Sequence, residues 1–136
     1  MRVGDKKPMT QEKSSGLEYI TFQAGEIIFT EGDIGDRAYI IESGKIEIFR
    51  NVGGEKITLG TVEKNGIFGE MALIDEATRM GTASALVKTD CIIVPKLAIQ
   101  SNLADADPLL RKLVNVLLGN ARSLSDHITR VVKKES

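Results

Sequence analysis

Glu70 and Arg79 stand nine residues apart in the stretch FGEMALIDEATRMGTASA, which runs from Phe68 to Ala85. Small residues surround them: Gly69, Ala72, Ala77, Gly81, Thr82, Ala83 and Ser84. A guanidinium offers two parallel charge-assisted donors to a phosphate. A carboxylate beside it is no phosphate ligand, because two anions repel. It can accept hydrogen bonds from hydroxyls, as acidic residues do from riboses in dinucleotide sites. The segment EMALI at 70–74 follows a glycine and is built from good helix formers, so a helix of one to two turns is expected there. A helix start carries amides without internal partners and a dipole that favours negative charge. Anion plus hydroxyls in little side-chain bulk points to a sugar phosphate or nucleotide. The same two charges also fit a structural salt bridge beside a hairpin, and spacing alone does not decide between the two.

The elements that must position these residues are short strands. YITF (19–22), EIIF (26–29), AYII (38–41), KIEIF (45–49), KITLGTV (56–62) and CIIVP (91–95) are β-branched or alternating. The gaps between them hold turn signals such as TEGDIGD, ESG, NVGGE and KNG. This predicts a mostly β chain with helices, an α+β arrangement: an antiparallel β-roll or jelly roll over about 17–95, with the short phosphate-binding helix embedded in it. Residues 1–16 are polar and are expected to form a flexible tail, leaving 17–136 as one domain. A short helix is expected from Lys96 to Ala104. Asp105 and Asp107 then offer N-caps ahead of Pro108, which suits the first position of a long helix reaching about Lys133. Leu110, Val114, Leu117, Ala121, Leu124, Ile128 and Val131 alternate steps of four and three, a coiled-coil seam. Leu109, Leu113 and Val116 form a second stripe, so the first half of this helix is expected to be covered on two sides.

The 136 residues suit one core. Aromatics make up 4% of the chain and tryptophan is absent, so an aliphatic core of Ile, Leu and Val is expected. Net charge is −1, which gives no overall field toward nucleic acid or anionic lipid. No apolar run approaches the ~20 residues of a membrane helix. The lone Cys91 lies in an apolar run and reads as a buried thiol in a reducing compartment, hence a cytoplasmic protein. The lone His127 has no partner histidine or cysteine for a zinc site, and no metal or cofactor is expected.

Two blocks of this sequence, AGEIIFTEGDIGDRAYIIESGKIEIF (24–49) and FGEMALIDEATRMGTASA (68–85), resemble the cyclic nucleotide-binding domain family. The first is similar to that family's glycine-punctuated early strands and the second to its phosphate-binding cassette. The resemblance covers Leu17 to about His127. It implies that Glu70 bonds the ribose 2′-hydroxyl and that Arg79 pairs with the cyclic phosphate. It further implies that backbone amides at Gly69, Glu70, Met71 and Ala72 face the ligand, and that Met80, Gly81 and Thr82 line the phosphate and base. The chain departs from the family pattern with Thr78 where proline is frequent, and with Met80 where alanine, serine or threonine usually follows the arginine. Met80 offers no hydroxyl to a guanine, so cyclic AMP is expected to bind better than cyclic GMP.

The resemblance therefore implies a regulatory, non-catalytic module that senses cyclic AMP, with the long helix placed by the ligand. Pairing of that helix in a homodimer would put Ser125 at the adenine. An effector protein is a further expected partner, and direct DNA binding is not expected, since no helix-turn-helix follows the seam. Two other readings remain: a ligand-free interaction module on the same scaffold, and a small β-barrel enzyme acting on a sugar phosphate.

Overall fold

The six alternating stretches all become strands, and three further strands complete two sheets. The computed structural model describes residues 11–12, 16–73 and 78–119. In chain order the strands are Gln11–Glu12 (β1), Glu18–Phe22 (β2), Ile27–Phe29 (β3), Arg37–Ser43 (β4), Ile46–Val52 (β5), Glu55–Val62 (β6), Ile67–Phe68 (β7), Thr82–Ala85 (β8) and Thr89–Pro95 (β9). One sheet has the order β1-β2-β9-β4-β7 and the other β3-β8-β5-β6. Every pairing is antiparallel. This is the expected roll, with two differences. Gln11–Glu12, placed in a polar tail by composition, pair with Tyr19 and Glu18. Thr82–Ala85, read only as part of a ligand-binding segment, is an inner strand between β3 and β5.

The two sheets close over one core. Ile20, Phe22, Tyr39, Ile41, Cys91 and Ile93 meet Ile28, Phe29, Ile46, Ala83 and Ala85 from the other sheet. The expectation of an aliphatic core is overturned at its centre. Phe22, Phe29, Tyr39 and Phe68 are all buried, and Tyr39 touches the other three rings, stacking on Phe68 at 5.1 Å between centroids. Few aromatics were available, but each buries a large apolar area, so four of them weigh heavily in a small core. Cys91 is fully buried, as expected, and burial, reinforced by the charge of Asp90, pushes its thiol up to about 12.

Pro95 ends β9, and Lys96–Ala104 (α1) follows with the predicted bounds. Asp105 closes α1 rather than opening the next helix. Asp107 is the working cap of α2, residues 108–119, since its Oδ1 accepts from the Leu109 amide at 2.8 Å. Among the described residues the expected two-sided cover of α2 is not seen: Leu109, Leu110, Leu113, Val116 and Leu117 are all exposed. The later seam positions Ala121, Leu124, Ile128 and Val131, together with Ser125 and His127, lie outside the described residues. Among the described residues, no helix is long and apolar enough to cross a membrane.

Candidate functional site

The site begins at Gly69, directly after β7. Its φ of +75° is a conformation that costs an L side chain strain, and a Cβ there would press on Arg79 Nη1 and the Phe29 ring. This bend turns the chain off β7 into Glu70–Leu73, one turn of 3-10 helix closed by the Ala72 amide on the Gly69 carbonyl at 3.2 Å. The expected short helix is thus a single, tighter turn, and Ala72 and Leu73 anchor it in the core. So short a turn sums few peptide dipoles. Most of the attraction for an anion must come from Arg79.

Arg79 is buried, with 5% of its surface exposed. Its main chain is fixed by two bonds to the loop after β3: its amide donates to the Asp33 carbonyl at 2.7 Å, and its carbonyl accepts from the Gly32 amide at 2.9 Å. Its side chain is fixed as well. Nη1 donates to the Gly69 carbonyl at 3.1 Å and Nη2 to the Arg37 carbonyl at 2.8 Å. Cζ lies 4.0 Å from the centroid of the Phe29 ring. A guanidinium has five donors in a planar fork, so with two of them directed to carbonyls its plane is set before any ligand arrives.

Glu70 and Arg79 line one cavity of about 320 Å³, a size at the lower end for small-molecule sites. Burial pushes the Glu70 carboxyl above its ordinary range, while its own backbone amide and the Arg79 charge pull the other way. The cavity brings together seven of the nine residues anticipated from sequence: Gly69, Glu70, Met71, Ala72, Arg79, Met80 and Gly81. Thr82 is not on its wall. The Thr82 hydroxyl accepts from the Glu31 amide at 3.0 Å, and Glu31 in turn pairs with Arg50 at 3.0 Å. Ser125 lies outside the described residues.

Part of the lining went unread in the sequence. Ile48 on β5 and Leu59, Gly60, Thr61 and Val62 on β6 also line the cavity, with Ile48 and Leu59 beside Gly81. The pairing of β5 with β6 slips between Ile48 and Phe49, where Gly60 and Thr58 are their partners and Leu59 is the extra residue. A bulge of this kind re-aims a side chain, and here it brings Leu59 to the cavity. The break in the alternation of KITLGTV at Gly60 is the one local signal of it. The arrangement offers a fixed cation, a carboxyl able to accept hydrogen bonds from hydroxyls, and apolar side chains lining the same cavity. Among the described residues there is no cluster of three metal-ligating side chains.

Comparison with known proteins identifies the family. The chain is 32% identical over 120 residues to a cAMP-dependent protein kinase regulatory subunit of Schizosaccharomyces pombe, an alignment covering 88% of this chain and 28% of that protein. It is 28% identical over 117 residues to a CRP-like cAMP-activated global transcriptional regulator of Mycobacterium tuberculosis, covering 85% of this chain and 52% of the regulator. The chain therefore spans about half or less of the length of these relatives. Among solved structures, the cAMP-bound form of the EAL enzyme Bd1971 superposes with a TM-score of 0.63 at 39% identity, covering 81% of this chain and 30% of that one. The family model described as cyclic nucleotide-binding domain matches residues 19–105. The chain belongs to the cyclic nucleotide-binding domain family.

Proposed function

We propose that this chain is a regulatory module that binds a cyclic nucleotide, cyclic AMP in preference to cyclic GMP, and has no catalytic activity of its own. The observation that carries the reading is the buried Arg79, held by two carbonyls in the same cavity as Glu70. In this reading Arg79 takes the cyclic phosphate, Glu70 accepts from the ribose hydroxyl, and the amides of Gly69 to Ala72 lie along the sugar phosphate. The base extends toward Ile48 and Leu59. Met80, which lines the cavity and carries no hydroxyl, supports the preference for adenine. The relatives named above include proteins described as cAMP-dependent or cAMP-activated, and Bd1971 has both cAMP-bound and cGMP-bound forms.

The output runs through α2 in this reading. Its exposed Leu110, Leu113 and Leu117 support a second copy of the chain as the partner, with Ser125 meeting the base and an effector protein downstream. The lone buried thiol supports a reducing, cytoplasmic setting. Calorimetry with cyclic AMP, cyclic GMP and linear AMP tests the proposal: binding is expected in that order of affinity. Absence of heat and of any thermal shift with all three at millimolar concentration overturns it in favour of a ligand-free interaction module, a reading that the exposed apolar face of α2 would then carry alone.

A further inference from the structure

Arg79 sits in a slot two of whose walls, Phe29 and Gly35, come from outside the phosphate-binding cassette. The ring of Phe29 lies under the guanidinium at 4.0 Å. Gly35 approaches from another side so closely that a Cβ on it would collide with Cζ, Nε and Nη2. Gly69 closes the Nη1 end, where a Cβ would come within 2.7 Å. The Phe29 ring is itself held, packed on Tyr39 at 6.4 Å and Phe68 at 6.0 Å between centroids. A cation over an aromatic face is attracted by the ring quadrupole, and most strongly where water is excluded. Guanidinium groups also stack on ring planes, which fixes orientation as well as position.

We propose that Phe29 and Gly35 are positioning residues for Arg79: the ring and the bare glycine backbone hold the guanidinium plane in the one orientation that presents it to an anion in the cavity. Neither residue lies in the cassette, and each acts through Arg79. An aliphatic residue at 29 would fill the core but take away the ring plane under the guanidinium, leaving its orientation to the hydrogen bonds to the Gly69 and Arg37 carbonyls. A side chain at 35 would displace it. Gly35 lies outside the left-handed backbone region, so alanine there meets no φ penalty, and the atoms nearest its Cβ are those of the guanidinium.

The inference rests on the proposed cyclic-nucleotide reading for its effect on affinity, but the slot is testable without ligand. In the ligand-free protein the Arg79 Nε–H resonance is expected upfield of ordinary arginines through the ring current of Phe29, and expected to return toward them in Phe29→Leu. Cyclic AMP affinity, measured by calorimetry, is expected to fall by about three- to thirtyfold in Phe29→Leu, the range of a partly desolvated cation–π contact. It is expected to fall at least as far in Gly35→Ala, which leaves the aromatic core intact, and to be largely kept in Phe29→Tyr. In an Arg79→Lys background both Phe29→Leu and Gly35→Ala are expected to have little further effect, whereas a merely structural role would lower affinity equally in both backgrounds. An unshifted Arg79 resonance in wild type, or additive losses in the cycle, overturns the proposal. A wild type that shows the shift but binds no cyclic nucleotide overturns the functional reading and leaves the slot standing.

Discussion

Ile34 and Thr78 pair across an isolated antiparallel bridge, forty-four residues apart in sequence. The bridge fastens the loop between β3 and β4 to the residue just before Arg79. Around it, Gly32 and Asp33 bond the Arg79 main chain, and the Arg37 carbonyl takes Nη2. The two sequence blocks that resembled the family separately are two halves of one arginine-holding structure. Thr78, where the family often has proline, supplies this pairing without that ring.

From this follows the first expectation. Arg79→Ala should cost about 2–5 kcal/mol of cyclic AMP affinity, because a desolvated anion would lose its charge partner. Glu70→Ala should cost less, since it removes hydroxyl hydrogen bonds rather than ion pairing. Titration calorimetry of both variants checks the order. Equal losses would mean that Arg79 does not meet the phosphate.

What the sequence made legible was set by local chemistry. Glu70, Arg79 and their small neighbours drew attention by type and spacing, which fitted a salt bridge as well as an anion site. It was the resemblance of two sequence blocks to the family that favoured the site. The alternating strands followed from period two. Three things required the fold itself. Thr82–Ala85 is a strand because β3 and β5 flank it, although TASA has weak strand preference of its own; tertiary pairing overrode propensity. Leu59 reaches the cavity only through a bulge whose partner strand lies in another block. Phe29 reads as a core residue in EIIF, and it is one; its second face, toward Arg79, depends on contacts fifty residues away.

Gly44 offers a control that separates fold from site. Its φ is +108°, and a Cβ would fall 2.6 Å from Thr89 Cα and 2.7 Å from the Lys88 carbonyl. Thr89 is fully buried there, with its hydroxyl accepting from the Lys45 amide. Gly44→Ala should destabilise by roughly 1–3 kcal/mol from backbone strain, with crowding in addition. The turn does not line the cavity of Glu70 and Arg79, so cyclic AMP affinity measured well below the melting transition should stay within about twofold of wild type. Denaturant titration alongside calorimetry reads both. A matching loss of affinity would show that the two regions are coupled.

The Cys91 thiol, buried and pushed up to about 12, should be inert in the folded protein. At pH near 8 the thiolate fraction is on the order of one in ten thousand, and iodoacetamide reacts with the thiolate. Mass spectrometry should find no alkylation in native buffer and full alkylation in denaturant. Rapid native labelling would show that β9 opens more readily than its central place in the sheet suggests.

The exposed apolar face of α2 should be a contact between copies. Leu110, Leu113 and Leu117 stand three and four residues apart and are all exposed in the single chain. Burying a leucine contributes about 1.5–3 kcal/mol, so a symmetric pair of such faces can stabilise a dimer. Leu117→Lys places two ammonium groups at the contact, and sedimentation should show a dimer for wild type and a monomer for the variant. A wild type monomeric at high micromolar concentration, with and without cyclic AMP, removes the dimer from the proposed output.

Acidity should weaken cyclic AMP binding through Glu70. Burial raises its pKa in the ligand-free protein, so the carboxyl holds its proton to a higher pH there than in an unfolded chain. A ribose hydroxyl donating to this carboxylate favours the ionised form, so where that bond outweighs the added desolvation and the phosphate charge, the pKa of the complex is expected below that of the free protein. Binding then releases a proton, and affinity falls as pH drops through the free-protein value, above the usual glutamate pKa of about 4.3. The fall stops below the pKa of the complex, where both states are protonated. Folding runs with the opposite sign. Because the folded pKa is the higher one, the ligand-free protein is favoured on the acid side and loses that contribution as pH rises through it. Glu70→Gln, which mimics the protonated form, should therefore be more stable than wild type at neutral pH and no more stable in acid. It should bind cyclic AMP more weakly at neutral pH and lose Glu70's share of the pH dependence. Calorimetry in buffers of different ionisation enthalpy counts the released proton. Proton uptake on binding, or a pH profile unchanged in Glu70→Gln, would exclude an ionised Glu70 as the hydroxyl acceptor.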